Sequence, residues 1–164
     1  MPDPPDLDAE AEAFWAFSLD LYARPGVAAS CLRLQDEGGL DVNLLLLCCW
    51  IARSGRGRLS EAEIAAAEAR AAPFRRDVIE PLRAVRRGLK KLPDAASLSL
   101  YAELKQIELR AEREEQRMLL ASELGSPHDA GRADDDLVAN LHLYLARHGH
   151  STDSAADLIR ACTQ

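Results

Sequence analysis

Apolar residues recur along this chain at helical spacing, not at the alternation of strands. Residues 13–22 are apolar except at Ser18 and Asp20, which predicts a largely buried helix over about Asp8–Ala23 with Asp6 or Asp8 as its N-cap. Pro25 suits the first turn of a second helix, and Gly38-Gly39 its end. Asp41 is placed to cap a third, Val42–Arg53, which is apolar on all sides and therefore central. Ser60 and Glu63 form a capping box opening a helix to about Ala71, and Pro73 is expected to break or restart it. From Phe74 to Leu92 an apolar seam runs Val78, Leu82, Val85, Leu89, Leu92, with a kink expected at Pro81. A long helix follows over about Ser97–Leu124, with a seam at Leu100, Leu104, Ile107, Ala111, Glu114, Met118 and Ala121. An exposed loop at Gly125–Ala133 and helices at about Asp135–His148 and Asp153–Cys162 close the chain. The expectation is an all-α, compact single-domain bundle of six or seven helices over residues 8–164, after a flexible segment 1–7.

Composition narrows the picture further. Ala and Leu supply about a third of the 164 residues, while Val, Ile and Thr number 12. The first two are strong helix formers and the other three favour strands, so a sandwich, barrel or large parallel sheet is excluded. The longest apolar run, Leu44–Ala52, has nine residues, against roughly twenty needed to span a bilayer. No membrane association is expected. The acidic, Pro-rich start does not resemble a secretory or transit signal. Cys31, Cys48, Cys49 and Cys162 show no regular spacing, so reduced thiols in a cytoplasmic protein are expected.

Charge is segregated. Residues 1–50 carry 9 acidic and 2 basic side chains, residues 51–92 carry 5 and 11, and residues 93–164 carry 13 and 7. A basic middle thus lies between acidic flanks. Arg76, Arg83, Arg87 and Lys90 share one helical face, extended by Arg86 and Lys91. This stripe is read as a binding face for an acidic protein partner, with nucleic acid as a weaker candidate, since no aromatics interleave for stacking. The bland alternatives are a solvated face, or one paired internally with the acidic long helix.

Residues 14–50 contain Phe14-Trp15, Ser18-Leu19, Leu21-Tyr22, Pro25-Gly26-Val27, Cys31-Leu32, Leu34-Gln35-Asp36, Asp41-Val42-Asn43-Leu44-Leu45-Leu46 and Trp50. This run resembles the signature of a family of small bacterial proteins carrying a domain of unknown function. The resemblance implies a bacterial, cytoplasmic origin and brings no activity, cofactor or catalytic residue. Within it, Gln35, Asp36, Asp41 and Asn43 cluster at a polar bend. They either cap helix ends or form a small site able to hold a cation or grip a partner's backbone.

Glu114 interrupts the apolar seam of the long helix and is expected to be a buried carboxylate, ion-paired to an arginine of the basic stretch or, alternatively, catalytic. His142, His148 and His150 do not form a metal-binding pattern, and no cofactor is implied. The expected function is non-enzymatic binding of another protein, as adaptor, regulator or assembly factor. A small enzyme or metal-dependent hydrolase-like protein using Asp36, Asp41, Asn43 and Glu114 is the alternative, and an RNA- or ribosome-associated factor the weaker one. The sequence leaves the oligomeric state open.

Overall fold

Asp6 accepts from the Asp8 amide and opens the first helix, α1 (Leu7–Tyr22), in the computed structural model, which describes residues 6–92, 94–121, 124–125 and 131–164. Helicity already includes Leu7, so only 1–5 of the segment expected to be flexible lie outside the described residues, as do residues 126–130 of the expected loop. Gly26 and Gly39, both at positive φ, flank α2 (Val27–Gly38). Asp41 caps α3 (Val42–Arg53) by accepting from the Asn43 amide at 2.9 Å. Nine of the twelve α3 residues are buried, so this helix is the axis of the core. Around it pack Phe14 and Leu21 of α1, Cys31 and Leu34 of α2, and Leu137, Leu141 and Tyr144 of α7 (Ala133–Arg147). α8 (Ala156–Thr163), entered through a 3₁₀ turn at Thr152–Ala155, closes the end through Leu158 and Ala161. Among the described residues there is no strand, and no helix is long and apolar enough to cross a membrane.

Asn140 of α7 ties the connection after α3 to the core. Its amide donates to the carbonyls of Cys48 and Gly57 at 3.3 and 3.1 Å, and its oxygen accepts from the Leu59 amide at 2.8 Å. Gly125 lies against that same connection, where an added Cβ would stand 2.6 Å from the Arg56 carbonyl oxygen.

The middle of the chain departs from expectation at its prolines. The capping box of Ser60 and Glu63 opens α4 (Glu61–Phe74), and Pro73 sits inside that helix without ending it. A π turn at Arg75–Ile79 joins α4 to α5 (Glu80–Leu89), the Glu80 amide donating to the Arg75 carbonyl five residues back. Widening the helix by one residue just before Pro81 makes room for a ring that otherwise presses on the preceding turn. One continuous helical segment results, and counting it as one helix gives seven among the described residues. α6 (Ala95–Leu119), capped by Asp94, returns antiparallel along α5. It ends five residues earlier than the periodicity predicts.

The larger correction concerns which faces of this hairpin are covered. No α5 residue is buried, and Val85 and Leu92 of the predicted seam are exposed. On α6, Leu100 and Ile107 are exposed, and Glu114, expected to be a buried carboxylate, also faces solvent. Of the α6 seam Ala111 is buried, and beside it the inward face carries Glu108, Glu115, Gln116 and Leu119. The reason is pairing. Arg83 and Arg86 of α5 neutralise Glu108 and Glu112 of α6, so a polar face goes inward, and the hairpin's apolar flank lies beyond the reach of the central helix.

Candidate functional site

A cleft of about 470 Å³ opens between the α1–α3 body and the α5–α6 hairpin. Trp15, Ser18, Leu19 and Tyr22 of α1, Leu32 and Gln35 of α2, and Val42, Asn43 and Leu46 of α3 form one side. Arg83 and Arg86 of α5, with Tyr101, Lys105, Glu108, Leu109, Glu112 and Gln116 of α6, form the other. Leu19 and Leu32 stand exposed at this cleft although both are large and apolar. Walls mainly apolar and aromatic, with a few fixed polar groups, are the usual make-up of a binding pocket.

The hairpin wall is an ion-pair ladder. Arg83 donates to Glu112 at 2.7 Å and lies 3.5 Å from Glu108, while Arg86 holds Glu108 through two nitrogens. The Arg86 guanidinium also sits 5.9 Å from the centre of the Tyr101 ring. Burial pushes the Glu112 carboxyl above the usual carboxylate range, against the opposing pull of Arg83. Burial works against the charge of Arg83, and Glu112 and Glu108 more than offset it.

The floor is a buried network. Gln116 donates to Ser18 Oγ at 3.0 Å and to Asn43 Oδ1 at 2.9 Å. The Asn43 amide donates in turn to Glu115 Oε2 at 2.5 Å. Burial, then the nearby Asp41 carboxylate, pushes Glu115 up to about 8. Asp41 is held by the Asn43 amide and by Arg75 at 3.7 Å, while its own backbone amide donates to the Tyr144 hydroxyl at 2.9 Å. Glu115 therefore holds its proton at neutral pH.

The predicted site residues are distributed as follows. Gln35 and Asn43 reach the cleft, while Asp41 is consumed as a helix cap with Arg75 beside it. Asp36 is exposed and accepts from Gln35 at 3.4 Å. Asp36, Asp41 and Glu114 are therefore not gathered: the first two line neither of the molecule's two described clefts, and Glu114 lines the other one. Of the basic stripe, Arg83 and Arg86 turn into the cleft wall and Arg76 pairs with its neighbour Asp77 at 2.7 Å. Arg87, Lys90 and Lys91 are exposed and make no ion pair among the described residues. The histidines are used separately, His142 on Thr152, His148 on Glu68 and His150 on the Gly38 carbonyl. Among the described residues no cluster of ligands suits a metal ion.

Sequence reasoning missed Glu108, Glu112, Glu115, Gln116 and Ser18 as members of one site. A usable signal existed in the spacing Glu108, Glu112, Glu115, which places three carboxylates on one α6 face opposite Arg83 and Arg86.

The chain belongs to the family described as "Protein of unknown function (DUF2390)", whose model matches residues 13–119. The match extends well past the signature at 14–50 and takes in every residue lining the cleft, from Trp15 to Gln116. No curated protein and no solved structure matches the chain.

Proposed function

We propose that this chain is a non-enzymatic protein-binding module of the bacterial cytoplasm, and that its cleft docks an acidic segment of another protein bearing large apolar side chains. The observation that carries this reading is the exposure of Leu19 and Leu32 at a cleft edged by Lys105, a cation that makes no ion pair among the described residues. Lys90 lies two turns beyond Arg83 on the same α5 face, so the cationic edge continues past the cleft. Apolar side chains of the partner would fill the space between Trp15, Leu19, Leu32 and Leu109. Its carboxylates would meet Lys105 and Lys90, because Arg83 and Arg86 are already occupied by glutamates. The four cysteines are buried free thiols, which suits a reducing compartment.

The enzyme reading is the weaker one, since the carboxylates it relied on are dispersed. Of the basic stripe, Arg87, Lys90 and Lys91 are what would remain for nucleic-acid binding.

The test uses four baits on a bacterial lysate with and without nuclease treatment: wild type, Leu19→Glu with Leu32→Glu, Lys90→Glu with Lys105→Glu, and Arg76→Glu as a control away from the cleft. The expected result is one acidic protein held by wild type and control, released by salt and lost with both cleft variants. A purified segment of that protein should then titrate wild type and not the leucine variant. Equal retention by all four baits, or loss of the captured species on nuclease treatment, overturns the reading.

A further inference from the structure

The flank of the hairpin facing away from the cleft carries an apolar strip that stays exposed among the described residues. Val85, Leu100 and Ile107 are 54%, 51% and 47% exposed. Val78, Leu82, Ile107, Arg110 and Glu114 line a groove of about 800 Å³ whose opposite wall is α1 through Asp8, Ala11 and Glu12, so both hairpin helices contribute to this side. The apolar positions repeat at alternating spacings of four and three, Val78-Leu82-Val85-Leu89-Leu92 from the π turn through α5 to just past its end and Leu100-Leu104-Ile107 on α6. That is the period of a helix seam built to meet another helix.

The charges beside the strip identify what it meets. Glu103 and Arg110 are exposed, lie four residues before and three after Ile107, and make no ion pair among the described residues. They are two turns apart, too far to pair with one another on the same helix. In an antiparallel crossing of two α6 helices about an axis through Ile107, however, each Glu103 falls opposite Arg110 of the partner. The arrangement is self-complementary, as an isologous two-fold interface requires: one residue contacts a second, and the second contacts the first. The same operation carries the hairpin tip of the partner, with its leucines, over the groove lined by Val78 and Leu82.

We propose that two copies of this chain associate through this flank, their α5–α6 hairpins packing antiparallel about Ile107 into a four-helix bundle with reciprocal Glu103–Arg110 pairs. Such bundles pack helices at shallow angles over seams of this kind. The interface lies across the hairpin from the cleft, so the inference stands independently of what the cleft binds.

Sedimentation of the full chain over a concentration series tests it. Wild type should sediment at twice the chain mass, and Ile107→Asp as a monomer with unchanged helical circular dichroism. Glu103→Arg and Arg110→Glu should each weaken self-association by about tenfold or more, because each places like charges opposite one another twice per interface. Mixed in equal amounts, the two single variants should recover association to near the wild-type level, since every crossing then brings opposite charges together. That mixing result does not depend on Ile107→Asp folding. A wild type that stays monomeric at every concentration, a dimer indifferent to all three substitutions, or no gain on mixing overturns the proposal.

Discussion

Asn43 and Glu115 meet in the interior, the amide of one donating to Oε2 of the other at 2.5 Å. Asn43 comes from the helix around which the core is built, and Glu115 from the long helix that bounds the cleft. This contact couples the two halves of the molecule through polar groups, in a place where apolar packing would be the ordinary solution. The second Glu115 oxygen, Oε1, is buried without a hydrogen-bond partner among the described residues, as is Gln116 Oε1 beside it. Buried polar groups left partly satisfied make such a network sensitive to protonation.

Glu115 therefore predicts an inverted pH dependence of stability. The fold holds its proton to about pH 8, whereas the unfolded chain releases it near the ordinary value of 4.5. Between these values the folded state binds more protons, so stability falls as pH rises through the window and is lowest above it. Asp41 opposes ionisation of Glu115, and Arg75 and Asn43 favour it. Urea midpoints at pH 5, 7 and 9 should decline for the wild type and stay nearly level for Glu115→Gln. At pH 9 the variant should be the more stable by roughly 2–4 kcal/mol.

Arg83 and Arg87 belong to one stripe in the sequence but not to one surface. The Arg83 side chain is 11% exposed against Glu112, whereas Arg87 is in solvent. Arg83→Ala should cost about 3 kcal/mol by leaving Glu112 buried without its partner, and Arg83→Met less, because it restores packing. Arg87→Ala should stay within about 0.5 kcal/mol of wild type. Chemical denaturation of the three variants at pH 7 checks the contrast.

Asn140→Leu should destabilise by about 3 kcal/mol. Three backbone groups, the Leu59 amide and the Cys48 and Gly57 carbonyls, would lose their partner in the interior. Asn140→Asp should be tolerated no better, since the acid cannot donate to both carbonyls. Thermal melts of the two variants against wild type measure the effect.

The thiols should differ in reactivity. Burial pushes Cys31 and Cys48 up to about 12 and Cys49 well above its ordinary value. Cys162 is lowered by the hydrogen bond from Cys49, opposed by its own burial, and helped by Arg53 and Arg24. Iodoacetamide at pH 8 should label Cys162 about tenfold faster than the other three in the native protein, with the difference lost in urea. Peptide mass spectrometry reads both rates.

Much of the local structure was legible along the chain. Asp41 before an apolar run, Ser60 with Glu63, and Gly39 after a helix are short-range signals, and each acts in the structure as its chemistry dictates. The central place of α3 was legible too, because a helix apolar on all sides has nowhere else to go. Asn43 and Gln35 were picked out for the polar bend, and both reach the cleft.

The orientation of the α5–α6 hairpin was decided only in three dimensions. Taken one helix at a time, the apolar seams should be buried, and Glu114 with them. A helix does not choose its inward face alone, however. The arginines of α5 and the glutamates of α6 cancel each other's charge once the helices are antiparallel, which removes most of the cost of burying them. The central helix then meets the face that pairs best with Asn43 and Ser18, and the apolar strip is left outside. The same long-range pairing sets the proton on Glu115, since burial and Asp41, which is 74 residues away in the chain, raise its affinity. Periodicity along the chain determined the helices and their ends; charge compensation between distant segments decided which faces they show.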